Sequence, residues 1–485
     1  MFNGLLKSRA VRYGTVSTLI TVLVIALLVT LNAALTFLFK KYPLRIDLTR
    51  DKVFELSEDT EEFLSGLAAD VDVFILNSEP GFSASSPAVY FTQANEVLRR
   101  YAQHSSRIRI SYVDLLRNPD FASRYPDVSL SVNDILLSSG GRSRVIRAQD
   151  LFNIQSSYYG SRVLSSKAEQ TMTSALLSLT GVEKTLVSVI NGHGEESIAA
   201  FLDHLSLNAF EYVTQNLLTE EIQPGVSLVI LAAPSRDLSE EELRKLDGFL
   251  AGGKNKTVFY LASASQQPLP NLASFLAEWG IAVGEGTAFE TDAARLLGNN
   301  PYLSIADYGE EEYSKNAAEK GLLPVTVQSR PLTALFEQKL YRTVIPLLRL
   351  SPRSGVRPAN TVIDWQPSPA DLTGDVPVLL LSRSLQTGRS GSLEQTNVLV
   401  SGSIFSLDQS ILSGPNIANA GYFLDILGNL AGRERSVWVA DKTLGFSQLG
   451  IAAGHVIVLV LVFMALLPLG TLIFGVVVWL RRRHR

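Results

Sequence analysis

The sequence predicts an α/β body built on an open, doubly wound sheet between two transmembrane helices, and three observations carry that prediction. Short runs at Thr185–Ile190, Ser227–Pro234 and Thr257–Ala262 are apolar without alternation, the mark of strands covered on both faces. Helix-like segments separate them, which implies parallel pairing through crossovers. Two long, charge-free apolar stretches, 16–39 and 456–480, bracket the rest of the chain.

The central stretch sets the frame. The strand from Thr185 runs into the turn Asn191-Gly-His-Gly-Glu-Glu196, and a helix-like segment over 197–207 follows. Phe210 to Leu217 is the next extended piece. Ser239 is placed to cap a helix over 240–250 with acidic residues in its first turn, and Gly252-Gly253 stops it.

Composition narrows the function classes. The chain has 485 residues, enough for two or three domains, and 43 Lys+Arg against 47 Asp+Glu give a net charge of -4. That balance does not suggest a nucleic-acid protein. With Cys 0, disulfides, thiolate metal sites and a cysteine nucleophile are excluded; with His 5, a histidine-rich metal site is not expected. No cofactor or metal site is expected.

Each apolar stretch exceeds the roughly 30 Å of a bilayer core at about 1.5 Å per residue. A signal peptide does not fit so long a hydrophobic region, and no small-residue cleavage site precedes Lys40-Lys41. The tail Arg481-Arg-Arg-His-Arg485 keeps the C-terminus inside. The expected organisation is a cytoplasmic N-terminus (1–15), a first transmembrane helix (16–39), and a first extracytoplasmic unit (40–155). A linker and helix (156–184) follow, then the main domain (185–440) with an insertion near 290–338. A membrane-proximal segment (441–455), a second transmembrane helix (456–480) and a basic cytoplasmic tail (481–485) complete it. Inside the first span, Asn32 and Thr36 lie four apart on one helix face. They are read either as a packing pair in lipid or as groups that bond back to their own helix.

In the first unit Ser57 is an N-cap for a helix behind it, Val71–Leu76 is a strand, and 89–103 is a helix ending in Arg99-Arg100. Ile108–Asp114 alternates like a half-exposed strand, and Gly140-Gly141 marks a hairpin. Ser156–Ser166 reads as a polar linker, and Lys167–Leu179 as a helix. Beyond 262 a helix over 270–279, a strand at 281–283, a loosely patterned lobe, strands near 343–350, 376–381 and 397–402, and a helix over 417–430 follow.

The candidate ligand-binding residues are Asn191, Gly192, His193, Gly194 and Glu195, because a strand–turn–helix junction is where open α/β sheets bind ligands. His193 with Glu195 offers acid–base or metal chemistry. The competing reading is a tight βα turn whose acidic residues favour the following helix. It is not a phosphate loop, since no GxxxxGK[ST] pattern is present. No G-x-S-x-G elbow occurs either, and Ser263, Ser265, Ser403, Asp408 and the run Glu310–Glu312 read as turn, cap or solvated residues. No complete catalytic constellation is present.

Several of these segments resemble one family. Leu44–Thr60 (R-x-D-L-T … F-x-L-S-x-x-T), the G-H-G-E turn at 192–195, the block from Leu228 to Gly253, the stretch Val400–Asp408, and Asn419–Gly432 are similar to the GldG family. These are auxiliary proteins of ABC transporters associated with gliding motility. The resemblance implies a glutamine-amidotransferase-like sheet without its catalysis, related to a domain of intraflagellar-transport proteins. It implies work in the cytoplasmic membrane beside a type-2 permease and a nucleotide-binding ATPase on separate chains, with the large domain outside. It also implies two copies if the permease is a two-fold dimer. The alternative is a membrane-anchored envelope hydrolase or carbohydrate-processing enzyme using the Gly192–Glu196 turn.

Overall fold

The computed structural model describes residues 21–34, 36, 53–126, 128–157, 160–180, 184–359, 361, 365–387, 393–414, 416–433, 439, 442, 464 and 466–483. The chain divides into two compact units, Met1–Leu56 and Ser57–Arg485.

In the first unit residues 21–34 are helical and exposed. The Thr36 hydroxyl donates to the Asn32 carbonyl at 2.7 Å, so this half of the expected pair bonds back within its own helix. At the other end of the chain, Leu467–Arg483 is a helix. No helix among the described residues is long and apolar enough to cross a membrane. Much of both apolar stretches, the segments 1–15 and 40–52, and all of 441–455 except Lys442 lie outside the described residues.

The second unit begins at Ser57, whose side chain caps the helix Glu58–Ser65 as its sequence predicts. β1 (Val71–Ile75) pairs in parallel with β2 (Ile108–Tyr112) across the helix Ala88–His104. β1 also pairs antiparallel with β3 (Ile135–Ser139), which turns at Gly140-Gly141 into β4 (Arg142–Ile146). The sheet order is β2-β1-β3-β4. Val71, Val73 and Ile75 alternate into the buried face, and Phe74 packs on Phe121 from the other.

The expected polar linker is instead a hairpin. β5 (Phe152–Ser157) and β6 (Gly160–Ser166) pair antiparallel. The serine-rich composition is that of a loop, yet the backbone forms a two-stranded ladder. The helix Ala168–Leu179, buried along nearly its whole length, then leads to the main sheet.

β7 (Thr185–Ile190), β8 (Phe210–Gln215), β9 (Val226–Ala232) and β10 (Lys256–Leu261) lie parallel in the order β10-β9-β7-β8. Leu393–Ser401 adds a fifth parallel strand beside β10. The helices Ala199–Leu207 and Asn419–Leu430 cover one face, with Val187, Ile230, Phe259 and Leu399 beneath them. Glu240–Ala251 and Pro270–Glu278 cover the other, over Val229, Leu231, Val258 and Val400. Neighbouring residues such as Leu228 and Val229 thus enter opposite cores, which is why the runs show no alternation.

The late strands, whose direction the sequence leaves open, pair antiparallel. Pro377–Thr387 is antiparallel to Leu393–Ser401, and Arg342–Arg349 is antiparallel to Pro377–Thr387, with Asp307–Tyr308 at the edge. The result is a mixed nine-stranded sheet among the described residues. Only a short connection separates Pro377–Thr387 from Leu393–Ser401, too short for a crossover helix, so these two pair antiparallel. The region expected as a lobe carries small sheets and the helix Glu311–Glu319. It is pinned by Glu290, fully buried, which accepts from the backbone of Thr291 at 2.8 Å, Asp292 at 2.9 Å and Ser351 at 3.1 Å.

Candidate functional site

The five parallel strands, numbered by their order in the chain, run 2-1-3-4-5 across the sheet, and chain order reverses between β7 and β9. A crevice opens at such a reversal, outside the carboxyl ends of the strands. The loops that border it here are Asn191–Ile198 and Ala233–Ser239. The sequence candidates sit at this position.

Two glycines shape the first loop. Gly192 has φ 111° and Gly194 has φ 74°, both in the left-handed half that side chains resist. A Cβ on Gly192 would stand 2.9 Å from the Asn216 amide. The backbone reversal carries His193 inward, where it is 4% exposed. The Asn191 N–H continues the ladder to Gln215 O at 2.9 Å, and Glu196 N–H to Ala232 O at 2.9 Å.

The crevice is filled by the two loops themselves. The His193 carbonyl accepts from Ser235 N–H at 3.0 Å, Arg236 N–H at 3.0 Å and the Ser235 hydroxyl at 2.8 Å. The Arg236 guanidinium donates to Gly192 O at 2.6 Å. Glu195 turns back and accepts from His193 N–H at 3.1 and 3.0 Å. It is therefore spent on its own turn; the following helix starts only at Ala199, with no side-chain cap.

The imidazole meets Glu242, on the first turn of Glu240–Ala251. Its Nε2 lies 3.2 Å from Glu242 Oε2 and 3.1 Å from Oε1. Glu242 closes a capping box: its Oε2 accepts from Ser239 N–H at 2.9 Å and from the Ser239 hydroxyl at 2.8 Å. His193 Nδ1 is 3.4 Å from Glu195 Oε1 but poorly aligned and makes no hydrogen bond to protein. The arrangement ties the β7 turn to the helix after β9. Sequence reasoning missed Glu242, Ser235 and Arg236 as partners. The S-x-x-E spacing of Ser239 and Glu242 was a readable signal for the cap, but nothing in the sequence links it to His193.

The other candidates are dispersed. Ser403 donates to Val327 O, and Ser263 and Ser265 hydroxyls face each other at 3.0 Å. Asp408 stands near Glu196, and partial desolvation together with that carboxylate raises its pKa from the ordinary value. Arg99 pairs with Glu79 at 2.9 Å. Glu310 borders a cleft of about 380 Å³ with Asp307, Arg349 and Asp375. A second cleft, about 560 Å³, lies between Glu221–Val226 and the outer face of Glu240–Ala251. Neither includes a residue of the His193 turn. Among the described residues no three His, Asp or Glu side chains converge as a metal site.

Residues 50–152 match a family described as a domain of unknown function (DUF7088), which covers the β1–β4 unit. No curated protein matches the chain. Among solved structures it is similar to the mmIFT52 N-terminal domain, at 15% identity and TM-score 0.38 over 52% of this chain and 99% of that one. It is also similar to PurLQS from Thermotoga maritima, at 15% identity and TM-score 0.24 over 51% of this chain and 99% of that one.

Proposed function

We propose that this chain is a non-catalytic auxiliary subunit of an ABC transport complex. In this reading the apolar stretches 16–39 and 456–480 anchor it in the cytoplasmic membrane, both termini are cytoplasmic, and the α/β body lies outside. The body contacts substrate or an envelope partner above a type-2 permease, and a separate nucleotide-binding ATPase supplies energy. The observation that carries the reading is the large α/β body bracketed by two charge-free apolar stretches and closed by an arginine-rich tail. The GldG-like order of segments within that body adds support, and it is what points to a permease and an ATPase.

The strand–turn–helix junction agrees with a structural rather than a chemical role. His193 is buried against a carboxylate that already serves as a helix cap, and the crevice beside it is occupied by Ser235 and Arg236. The test is purification of the tagged chain from its native host in mild detergent, with partners identified by mass spectrometry. Stoichiometric recovery of a multi-span permease and an ATPase supports the reading. Recovery of the chain alone, or unchanged ATPase activity of the complex when the chain is deleted, refutes it.

A further inference from the structure

The buried carboxylate Glu169 is not part of the crevice, yet it gathers three distant pieces of the chain. It stands in the first turn of Ala168–Leu179, where the helix dipole favours negative charge, and it is 3% exposed. Its Oε1 accepts from the Ser57 N–H at 2.7 Å. Its Oε2 lies 2.6 Å from the Lys442 ammonium, which is 14% exposed. Ser57 is the residue at which the second compact unit begins, and Lys442 is its last described residue before the C-terminal apolar stretch.

Neither contact is incidental to the local backbone. Lys442 forms a two-way antiparallel bridge with Ser166, with N–H···O distances of 2.8 and 2.9 Å. Ser57 caps its helix through Thr60 N–H. Thr60 in turn faces Thr173 at 3.4 Å, and Tyr101 bonds both Thr173 at 2.6 Å and the Glu169 carbonyl at 2.8 Å. The helix carrying Glu169 packs on Ala88–His104 of the small sheet unit and on Ala199–Leu207 of the large one.

We propose that Glu169 is a clasp that couples the two ends of the α/β body to each other. A pull on the chain before Ser57 and a pull on the chain after Lys442 load the same carboxylate. Release of one contact leaves a buried charge short of a partner, which favours withdrawal of Glu169 toward water and with it loss of the other contact. Both loads pass to Ala168–Leu179, which touches both sheet units. The use of such a clasp to relay movement of two membrane helices rests on the membrane reading above; the coupling itself does not.

The test is hydrogen–deuterium exchange on the full chain in detergent, comparing wild type with Lys442→Met, Lys442→Gln and Lys442→Arg. These changes leave Ser57 and Glu169 in place. The expected result for Lys442→Met is faster exchange both at Ser166 and at the Ser57 amide, about tenfold at each, with β9 amides unchanged. Lys442→Arg restores slow exchange at both. Lys442→Gln keeps a donor without the charge and gives an intermediate rate, and it decides the matter if the Met variant does not fold. Faster exchange at Ser166 with wild-type exchange at Ser57 overturns the proposal, because the ends would then be separate tethers. Protease protection of the tails in sealed vesicles reads the membrane placement independently, so failure of one reading is not mistaken for failure of the other.

Discussion

Replacing His193 by alanine separates a structural latch from a ligand site. The substitution removes the ring that faces Glu242 at 3.1 and 3.2 Å in a position only 4% exposed. Glu242 is itself 1% exposed. The hydrogen bond lost is the one to Oε2, which keeps its two bonds from Ser239 at 2.9 and 2.8 Å, while Oε1, which has no hydrogen-bond partner, loses the imidazole that lay 3.1 Å away. Breaking a buried charge contact outright costs about 3–5 kcal/mol. With half of the carboxylate still bonded, the expected loss is about 2–3 kcal/mol. The assay is chemical denaturation of the full chain in detergent, followed by the fluorescence of its 4 tryptophans, with hydrogen exchange at 193–196 and 239–243 to localise the effect. Glu195→Gln serves as the comparison, and about 1 kcal/mol or less is expected, since one oxygen still accepts from His193 N–H. A change below about 0.5 kcal/mol in His193→Ala would sink the latch argument. Wild-type stability combined with lost capture of a partner would point back to a binding site.

Other consequences follow from single residues. Burial, reinforced by Lys167, lowers the His204 pKa to about 4 from 6.5. The unfolded chain therefore binds a proton there that the folded one refuses. Stability from this residue is full above pH 6.5 and drains as pH falls toward about 4, by up to about 3 kcal/mol, and His204→Gln should flatten that part of the pH profile. Gly192→Ala forces a side chain onto φ 111° and against Asn216, and a loss of about 1–3 kcal/mol in a denaturation curve is expected; a neutral result refutes the turn geometry. Glu290→Gln sets an amide N–H₂ against backbone donors that now point at carboxylate oxygens. It should cost about 1–3 kcal/mol, seen as faster exchange at Asp292 and Ser351.

The caps at Ser57 and Ser239 and the turn at Gly140-Gly141 were readable because each depends on a few consecutive residues. The hairpin Phe152–Ser166 was missed because its serine-rich composition matches that of a loop, and only its ladder distinguishes it. The late strands were found, but not their direction, since a run such as Val378–Leu381 is equally apolar in either orientation.

The sequence by itself determined the class of the body, the positions of the buried strands, the two apolar stretches that flank it and the place of the Asn191–Glu196 turn. Those are properties of spacing and composition over short windows. Only the tertiary structure decided that the sheet is mixed, that His193 faces Glu242 across 49 positions, and that Glu169 meets Ser57 across 112. Periodicity shows which side of an element is buried. Which buried polar group lies opposite another depends on how strands are ordered and helices laid over them, and no local pattern carries that information.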